Sequence, residues 1–338
     1  MKNLYLHILL IFFSMSVALT AISQDIHFSQ FTETPLYRNP ALAGIVTGDV
    51  RVQTVYRTQW NSIANAYKTS SLSAEYKLPI GNADDFITAG AQIFYDRAGT
   101  TALTTTHMMP AVNYHKSISN VRNMYLSVGF MGGFIQRSFD RSKITTNHNY
   151  EGGMDGENFN QTNYSYFDGA VGMSLNSSFS DNENDNFYLG AAYHHFNKPK
   201  GSFFQTQGQE INPKYVFSGG IKFGVTEYSY VAIEADHTRQ GMFQETIGGI
   251  MYGLKIGPYI DQPDYVIHGG AYLRWNDAFI PTVKLDYRPF TVAFSYDMNI
   301  SKLKTSSYGR GGFELSLAYI GLLDRANATL NSIRCPRY

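Results

Sequence analysis

The sequence predicts an all-β protein, a transmembrane antiparallel β-barrel of about 14 strands. Its final third, residues 265–319, consists of four consecutive stretches in which apolar and polar residues alternate. In the stretch 290–299, one face carries Phe290, Val292, Phe294, Tyr296 and Met298, and the other carries Thr291, Ala293, Ser295, Asp297 and Asn299. A period of two is typical of a strand with one face towards lipid and the other towards water.

The composition agrees with a large lipid-facing surface. Of the 338 residues, 43% are hydrophobic and only 16% are charged, with 25 Tyr and 23 Phe, whereas about a quarter of the residues of a soluble domain are charged. After residue 19, no apolar run approaches the ~20 residues that a membrane helix needs, which excludes a helical membrane protein.

Strand candidates with this alternation follow one another through the chain. Several have close to the ~9 to 11 residues that cross a bilayer at a tilt, and their number is even, as in single-chain bacterial barrels. The candidates are residues 49–57, 70–78, 86–96, 104–115, 124–136, 166–176, 187–196, 214–223, 230–237, 246–256, 265–275, 279–287, 290–299 and 313–319. With the N-terminus in the periplasm, we expect short periplasmic turns, such as 79–85, and longer extracellular loops, such as 137–163 and 197–213.

The ends of the chain lie outside the predicted barrel, which spans residues 49–320. Residues 1–23 resemble a secretory signal peptide, with Lys2, a largely apolar stretch and small residues before Gln24. A membrane anchor helix is the alternative, and the short apolar run disfavours it. We expect residues 24–48 to lie in the periplasm or to plug the barrel mouth, and residues 321–338 to form a periplasmic tail. Its Cys335, the only cysteine, has no partner for an internal disulfide.

Charge and motifs narrow the function classes. The net charge is zero, so nothing indicates a nucleic acid partner. No nucleophile motif such as Gly-x-Ser-x-Gly is present, so no catalytic residue, cofactor or metal is predicted. The adjacent His194 and His195 are a poor metal site, because successive strand residues point to opposite faces.

The lumen-facing side chains carry both signs of charge. Such a mixture suits an internally bonded, filled lumen better than an ion-selective pore. A porin-like or FadL-like channel for small solutes is the alternative function, since about 14 strands enclose a lumen that is either open or plugged. Examples of these charged residues are Arg51, Lys77, Lys222, Lys284, Glu75, Asp168, Glu234 and Asp286.

The chain resembles the PorP/SprF family of Bacteroidota outer-membrane proteins, which is associated with type IX secretion and gliding motility. The resemblance covers nearly the whole mature chain and is most specific in residues 270–278, 295–303 and 312–317. The motif residues are Asn39, Pro40, Ala41, Gly44, Arg57, Gln59, Trp60, Arg274, Asp277, Tyr296, Asp297 and Glu314. The family implies an outer-membrane barrel that works with type IX secretion components and binds an exported surface protein, such as an adhesin or its C-terminal domain.

Two groups of residues lead to structural predictions. Arg274, Asp297 and Glu314 project from the polar faces of neighbouring strands, so we expect a charge network inside the barrel. The loop after the thirteenth strand lies on the predicted exterior side, where loops on a rigid barrel contact partners. Its basic side chains and one tyrosine predict a partner-binding patch, although turn chemistry alone is the alternative. The candidate contacts are Ser301, Lys302, Lys304, Tyr308 and Arg310.

Overall fold

The computed structural model describes residues 25–59, 67–80, 84–145, 161–182, 184–203, 209–259, 263–302 and 304–322. In this part of the chain, fourteen antiparallel strands close into one barrel. The first strand pairs with the last, with Val50 opposite Gly321 and Gln59 opposite Gly312. The predicted signal peptide, Trp60 and Cys335 lie outside the described residues.

The predicted barrel and its number of strands are confirmed. The barrel strands are β1 (Val50–Gln59), β2 (Tyr67–Pro79), β3 (Phe86–Ala98), β4 (Leu103–Ser119), β5 (Met124–Ser138), β6 (Asn163–Ser178), β7 (Asn186–His194), β10 (Lys214–Thr226), β11 (Ser229–Gln240), β12 (Phe243–Ile256), β13 (Tyr265–Arg274), β14 (Ala278–Tyr287), β15 (Phe290–Asn299) and β16 (Arg310–Gly321). Two short strands, β8 (Lys200–Gly201) and β9 (Gln209–Glu210), pair with each other between β7 and β10.

Most of the observed strands are longer than predicted; β4, for example, ends at Ser119 rather than at residue 115. The seventh predicted strand is instead too long. It ends at His194 rather than at residue 196, because His195 has a φ of 57° and a positive φ does not continue an extended strand. His195 therefore belongs to the connection that follows β7.

The outer surface of the barrel is apolar and is bordered by aromatic rings at both ends. Exposed aromatic side chains lie near one end at Tyr95, Phe134, Phe167 and Trp275, and near the other at Tyr76, Tyr228, Tyr265, Tyr287 and Tyr319. Two such girdles flank the lipid-facing band of transmembrane barrels. Among the described residues, no helix has the length and apolar character needed to cross a membrane.

The two ends of the barrel differ in their connections. The longest connections, 139–162 and 195–213, join strands at the end that also carries the connection 300–309. We call this the loop end. The opposite end, which we call the terminal end, carries the start of β1, the finish of β16 and two-residue turns such as 288–289.

The core of the protein lies inside the barrel. Residues 25–48, which we call the lumen segment, contain a short helix α1 (Pro35–Arg38) and two turns of 3₁₀ helix, Phe31–Glu33 and Pro40–Leu42. Apolar side chains of the segment are buried against the wall in four clusters. Leu36, for example, is fully buried and packs with Met131 of β5. The lumen is thus filled by the chain itself.

Candidate functional site

The lumen segment runs through the barrel from the loop end to the terminal end. At the loop end, the Asp25 amide donates to Oε1 of Gln240, the last residue of β11, at 2.9 Å. At the terminal end, Lys77 Nζ near the finish of β2 donates to the Val46 carbonyl at 2.9 Å. The chain therefore crosses the whole lumen before it begins β1.

An ion cluster fixes the start of the lumen segment. Asp25 Oδ2 lies 2.9 Å from Lys214 Nζ and 2.9 Å from His195 Nε2, and His195 Nδ1 lies 2.7 Å from Asp168 Oδ2. Burial would lower the pKa of His195, but the carboxylates of Asp25 and Asp168 raise it to about 9. Burial would raise the pKa of Asp25, but Lys214 and His195 hold it well below its ordinary value. At neutral pH an imidazolium between two carboxylates ties the segment to the wall.

We expect this tie to loosen at alkaline pH. The folded-state pKa of His195, about 9, exceeds the unfolded value of about 6.5. Its contribution to stability is therefore complete below about pH 6.5 and is lost as the pH rises through 9. Asp25 has a lowered pKa, so its contribution is present above about pH 3.9 and is lost as the pH falls through the folded value.

A nitroxide spin label at Ile26→Cys, in a Cys335→Ser background, measures this tie. We expect its spectrum to become mobile between pH 8 and 10, and to show no such transition when His195→Asn is added. An identical alkaline transition in the His195→Asn variant would assign the titration to another group.

A buried charge network occupies the lumen wall near the loop end. The three charges predicted to meet there, Arg274, Asp297 and Glu314, lie together, and Arg57 joins them. Arg57 Nη1 is 2.7 Å from Glu314 Oε1 and Arg57 Nη2 is 3.1 Å from Asp297 Oδ2. Arg274 Nη1 is 3.4 Å from the same oxygen of Asp297. Each charge is buried with an opposite charge beside it, the condition under which a protein interior tolerates ions.

This network also holds the first turn of the lumen segment. The two carboxylate oxygens of Glu314 accept the amides of Ser29 and Gln30 at 2.6 and 2.7 Å. Arg57 Nη1 donates to the His27 carbonyl at 2.7 Å. The family motifs at the two ends of the sequence therefore meet inside the barrel.

The Asn39-Pro40-Ala41 motif forms a turn in the middle of the lumen. Asn39 Oδ1 accepts the Ala41 amide at 2.8 Å and begins the 3₁₀ turn, while Asn39 Nδ2 donates to two wall carbonyls. The wall at Gly129 approaches so closely that a Cβ there would lie 2.5 Å from both the Ala41 nitrogen and the Pro40 carbonyl carbon. The wall glycine makes room for the turn.

Gly44 turns the chain near the terminal end of the segment. Its φ is +74°, a conformation that residues with a Cβ rarely adopt. Its amide donates to Glu75 Oε2 at 2.7 Å, and Glu75 also pairs with Arg51 of β1. The motif glycine thus directs the chain towards the start of the first strand.

Two charged residues of the segment were not singled out from the sequence. Glu33 Oε1 lies 3.1 Å from Lys284 Nζ, and Arg38 donates two hydrogen bonds of 2.6 and 2.5 Å to Asp236. Charges are rare in residues 25–48, and the wall presents charges of both signs. Those two facts together indicate that the charges of the segment pair with charges of the wall. The sequence alone does not show where in the barrel a segment without periodicity lies.

The remaining motif residues are not all in the network. Asp277 pairs with Arg274 at 3.0 Å and Gln59 ends β1, half-buried. Tyr296 is 36% exposed on the outer face of β15, so it faces lipid rather than the lumen charges. Trp60 lies outside the described residues.

The predicted contact loop lies at the loop end beside the β13–β14 connection. The amide of Ile300 donates to the Asp277 carbonyl at 2.8 Å, and a short helix, α2 (Lys304–Ser307), follows. Lys302, Lys304 and Arg310 are exposed and Ser301 is half-buried. Tyr308 is 88% exposed.

In the part of the chain that the structure describes, one lumen histidine lies beside a serine. His115 Nδ1 lies 2.6 Å from Ser127 Oγ, but both side chains are fully buried, so no substrate reaches them. His194 and His195 do not point to opposite faces as predicted, because the strand ends between them and both rings are buried. His194 bonds the Arg38 carbonyl at 3.0 Å. Within the described residues, no group of three or more His, Cys, Asp or Glu is placed to hold a metal ion.

Among the described residues, two small cavities lie between the lumen segment and the wall. One of about 60 Å³ is lined in part by Asp25, Lys214 and Asp236, and one of about 30 Å³ by Glu33 and Lys284. A cavity of about 150 Å³ is known to hold benzene. Neither cavity therefore holds a molecule of the size of benzene, and charged side chains form part of the lining of both.

Comparison with known proteins identifies one matching family and several similar solved structures. The profile of the family described as "Type IX secretion system membrane protein PorP/SprF" matches residues 20–319. No curated protein matches the chain.

Among solved structures, the chain is similar to the toluene transporter TbuX of Ralstonia pickettii, with a TM-score of 0.49, 11% identity, and 85% of this chain and 92% of that chain covered. It is also similar to the CymD monoaromatic hydrocarbon channel, with a TM-score of 0.49, 10% identity, and coverage of 88% and 95%. The translocator domain of the autotransporter NalP from Neisseria meningitidis gives a TM-score of 0.38, 9% identity, and coverage of 81% and 88%.

Proposed function

The chain belongs to the PorP/SprF family of type IX secretion system membrane proteins, and we propose that it binds an exported cell-surface protein at its loop end. Its closed barrel and its family make it an outer-membrane protein with a role in type IX secretion. The family is described as a membrane protein of a secretion system, which is a non-enzymatic kind of protein. The exported partner is a surface protein such as an adhesin or its C-terminal domain.

The filled lumen is the observation that supports this proposal. In the described part of the chain, residues 25–48 occupy the barrel interior along its length, with buried ion pairs at Arg57 and Arg38. A barrel filled in this way obstructs the passage of a solute. Its work is then done by the surfaces that it presents outside the membrane. Loops held by a rigid scaffold are the usual place for such contacts.

The connection 300–309 offers the most suitable chemistry at the loop end. Exposed Lys302, Lys304 and Arg310 surround Tyr308, which is 88% exposed. A large exposed aromatic ring is a typical interface anchor, and basic groups at the rim attract an acidic partner surface and raise the association rate. We propose that this loop contacts the exported protein.

A channel for small solutes is the second candidate function. The cavities beside Asp236 and Lys284 favour it, because they mark the side of the lumen where a shift of the segment would first admit water. Conductance in planar bilayers separates the two functions, since a barrel that serves as a binding platform conducts poorly.

We expect replacement of the contact loop to reduce partner capture on the order of tenfold, the effect of losing about 1.4 kcal/mol at one anchor. The variant carries Lys302→Ser, Lys304→Ser, Tyr308→Ala and Arg310→Ser. Surface proteins that co-purify with the barrel are quantified by mass spectrometry, after the variant is shown to reach the outer membrane with heat-modifiable gel mobility.

A matched control carries Arg122→Ser and Tyr228→Ala, exposed residues of the same types at the terminal end. It should retain the full partner set. If the loop variant also retains it, while deletion of the gene abolishes it, the contact is elsewhere and the long connection 139–162 becomes the next candidate.

A further inference from the structure

The barrel wall recognises the main chain of the lumen segment. Wall side chains form hydrogen bonds with ten main-chain atoms of the segment. These hydrogen bonds do not depend on which side chains the segment carries. The amides are those of Asp25, Ser29, Gln30 and Gly44, and the carbonyls are those of His27, Arg38, Pro40, Ala41, Ala43 and Val46.

The bonding groups come from all around the barrel. They are the side chains of Arg57, Glu75, Lys77, Asn113, Ser174, His194, Gln240 and Glu314. Side chains that converge on the amides and carbonyls of an irregular peptide are a means of recognising polypeptide as a chemical class. The segment has no strand of its own and adds no rung to the sheet.

Closure of the barrel does not need the segment. Each barrel strand pairs with two others, and β1 pairs with β16 along Val50–Gln59. Wall charges also pair with one another: Arg57 with Glu314, and Arg51 with Glu75. Departure of the segment would therefore leave the sheet complete and these ion pairs intact, in a lumen that water enters.

The segment is joined to the barrel at one accessible point. Thr47 is exposed between buried Val46 and Gly48, and the pairing of β1 begins at Val50. At the other end, Asp25 lies at the loop end. A polypeptide that approaches from the loop side therefore meets the start of the segment first.

We propose that the lumen is a polypeptide-binding site, which the lumen segment occupies in cis and which an irregular segment of a second polypeptide occupies in exchange. This goes beyond the proposed function, which concerns the outer loops only. The second polypeptide enters from the loop end, where Asp25 is released first. Its main chain takes over the contacts to Glu314, Arg57, Asn113 and Glu75.

The test uses the full chain with a protease site inserted at Thr47. The folded barrel is cleaved there, so that the segment stays bound without a covalent link. A fluorescent synthetic peptide of residues 24–48 is then added in excess, and its association is followed by anisotropy and by co-migration with the unheated barrel. We expect exchange of the bound segment for the labelled peptide, while the barrel keeps its heat-modifiable mobility.

Peptide variants test the recognition of the main chain. N-methylation at Ser29 and Gln30 removes the donors to Glu314 and should weaken binding at least tenfold. N-methylation at exposed Thr47 is the matched control and should leave binding unchanged.

Two results would overturn the proposal. If no labelled peptide enters until the barrel itself unfolds, the segment is a permanent part of the barrel. If the N-methylated peptide exchanges as well as the unmodified one, the wall does not recognise the main chain. Because no exported protein takes part, failure here is independent of the loop experiment.

Discussion

Replacing Gly129 with valine should turn a barrel that conducts poorly into one with a large, stable conductance in planar bilayers. Gly129 faces the lumen in β5, and a Cβ there would lie 2.5 Å from both the Ala41 nitrogen and the Pro40 carbonyl carbon. Both are main-chain atoms, so no side chain can rotate away. Valine suits a strand, and we therefore expect the Asn39 turn to leave the wall while the barrel persists.

A matched control separates displacement of the segment from a general effect of valine. At Gly269 on β13, which faces outwards, a Cβ would meet nothing within 4 Å. The Gly269→Val variant should conduct as poorly as the unchanged protein. Similar low conductance in both variants would show that the Asn39 turn does not close the lumen.

The barrel could be predicted from the sequence because the alternation of apolar and polar residues is a local pattern within each strand. A wall with lipid on one side and a polar lumen on the other imposes a period of two on each strand, and that period survives in β15 and β16, where lumen-facing Asp297 and Glu314 alternate with apolar neighbours. The strand end at His194 could not be predicted in this way. His195 is drawn inwards by Asp168 and Asp25, and those partners are distant in sequence.

The site was predicted in part for a related reason. Alternation places Arg274, Asp297 and Glu314 inside, but the role of Arg57 depends on barrel closure, which sets Arg57 opposite Glu314. The path of the lumen segment depends on contacts such as that between Ser29 and Glu314, 285 residues apart. No periodicity in residues 25–48 encodes such contacts. Their partners become evident only when the lumen is seen as a polar interior that needs to be filled.

Replacing Arg57 should produce the largest loss of stability in the molecule. Its side chain is 1% exposed and lies 2.7 Å from Glu314 and 3.1 Å from Asp297. Removing one partner of a buried ion pair costs about 3–5 kcal/mol, because the other charge stays buried without compensation. We therefore expect Arg57→Met to lower the free energy of unfolding by about that amount, as measured by urea titration of the folded barrel in micelles.

A double-mutant cycle identifies the cause of this loss. Adding Glu314→Gln to Arg57→Met removes one of the stranded carboxylates, so the double variant should be more stable than the sum of the two single effects predicts. Exposed Arg310 serves as the matched control, and Arg310→Met should change the free energy of unfolding by less than about 0.5 kcal/mol. Simple additivity of Arg57→Met and Glu314→Gln would mean that the two charges do not stabilise each other. The hold of Glu314 on the amides of Ser29 and Gln30 would then be the main contribution of that carboxylate.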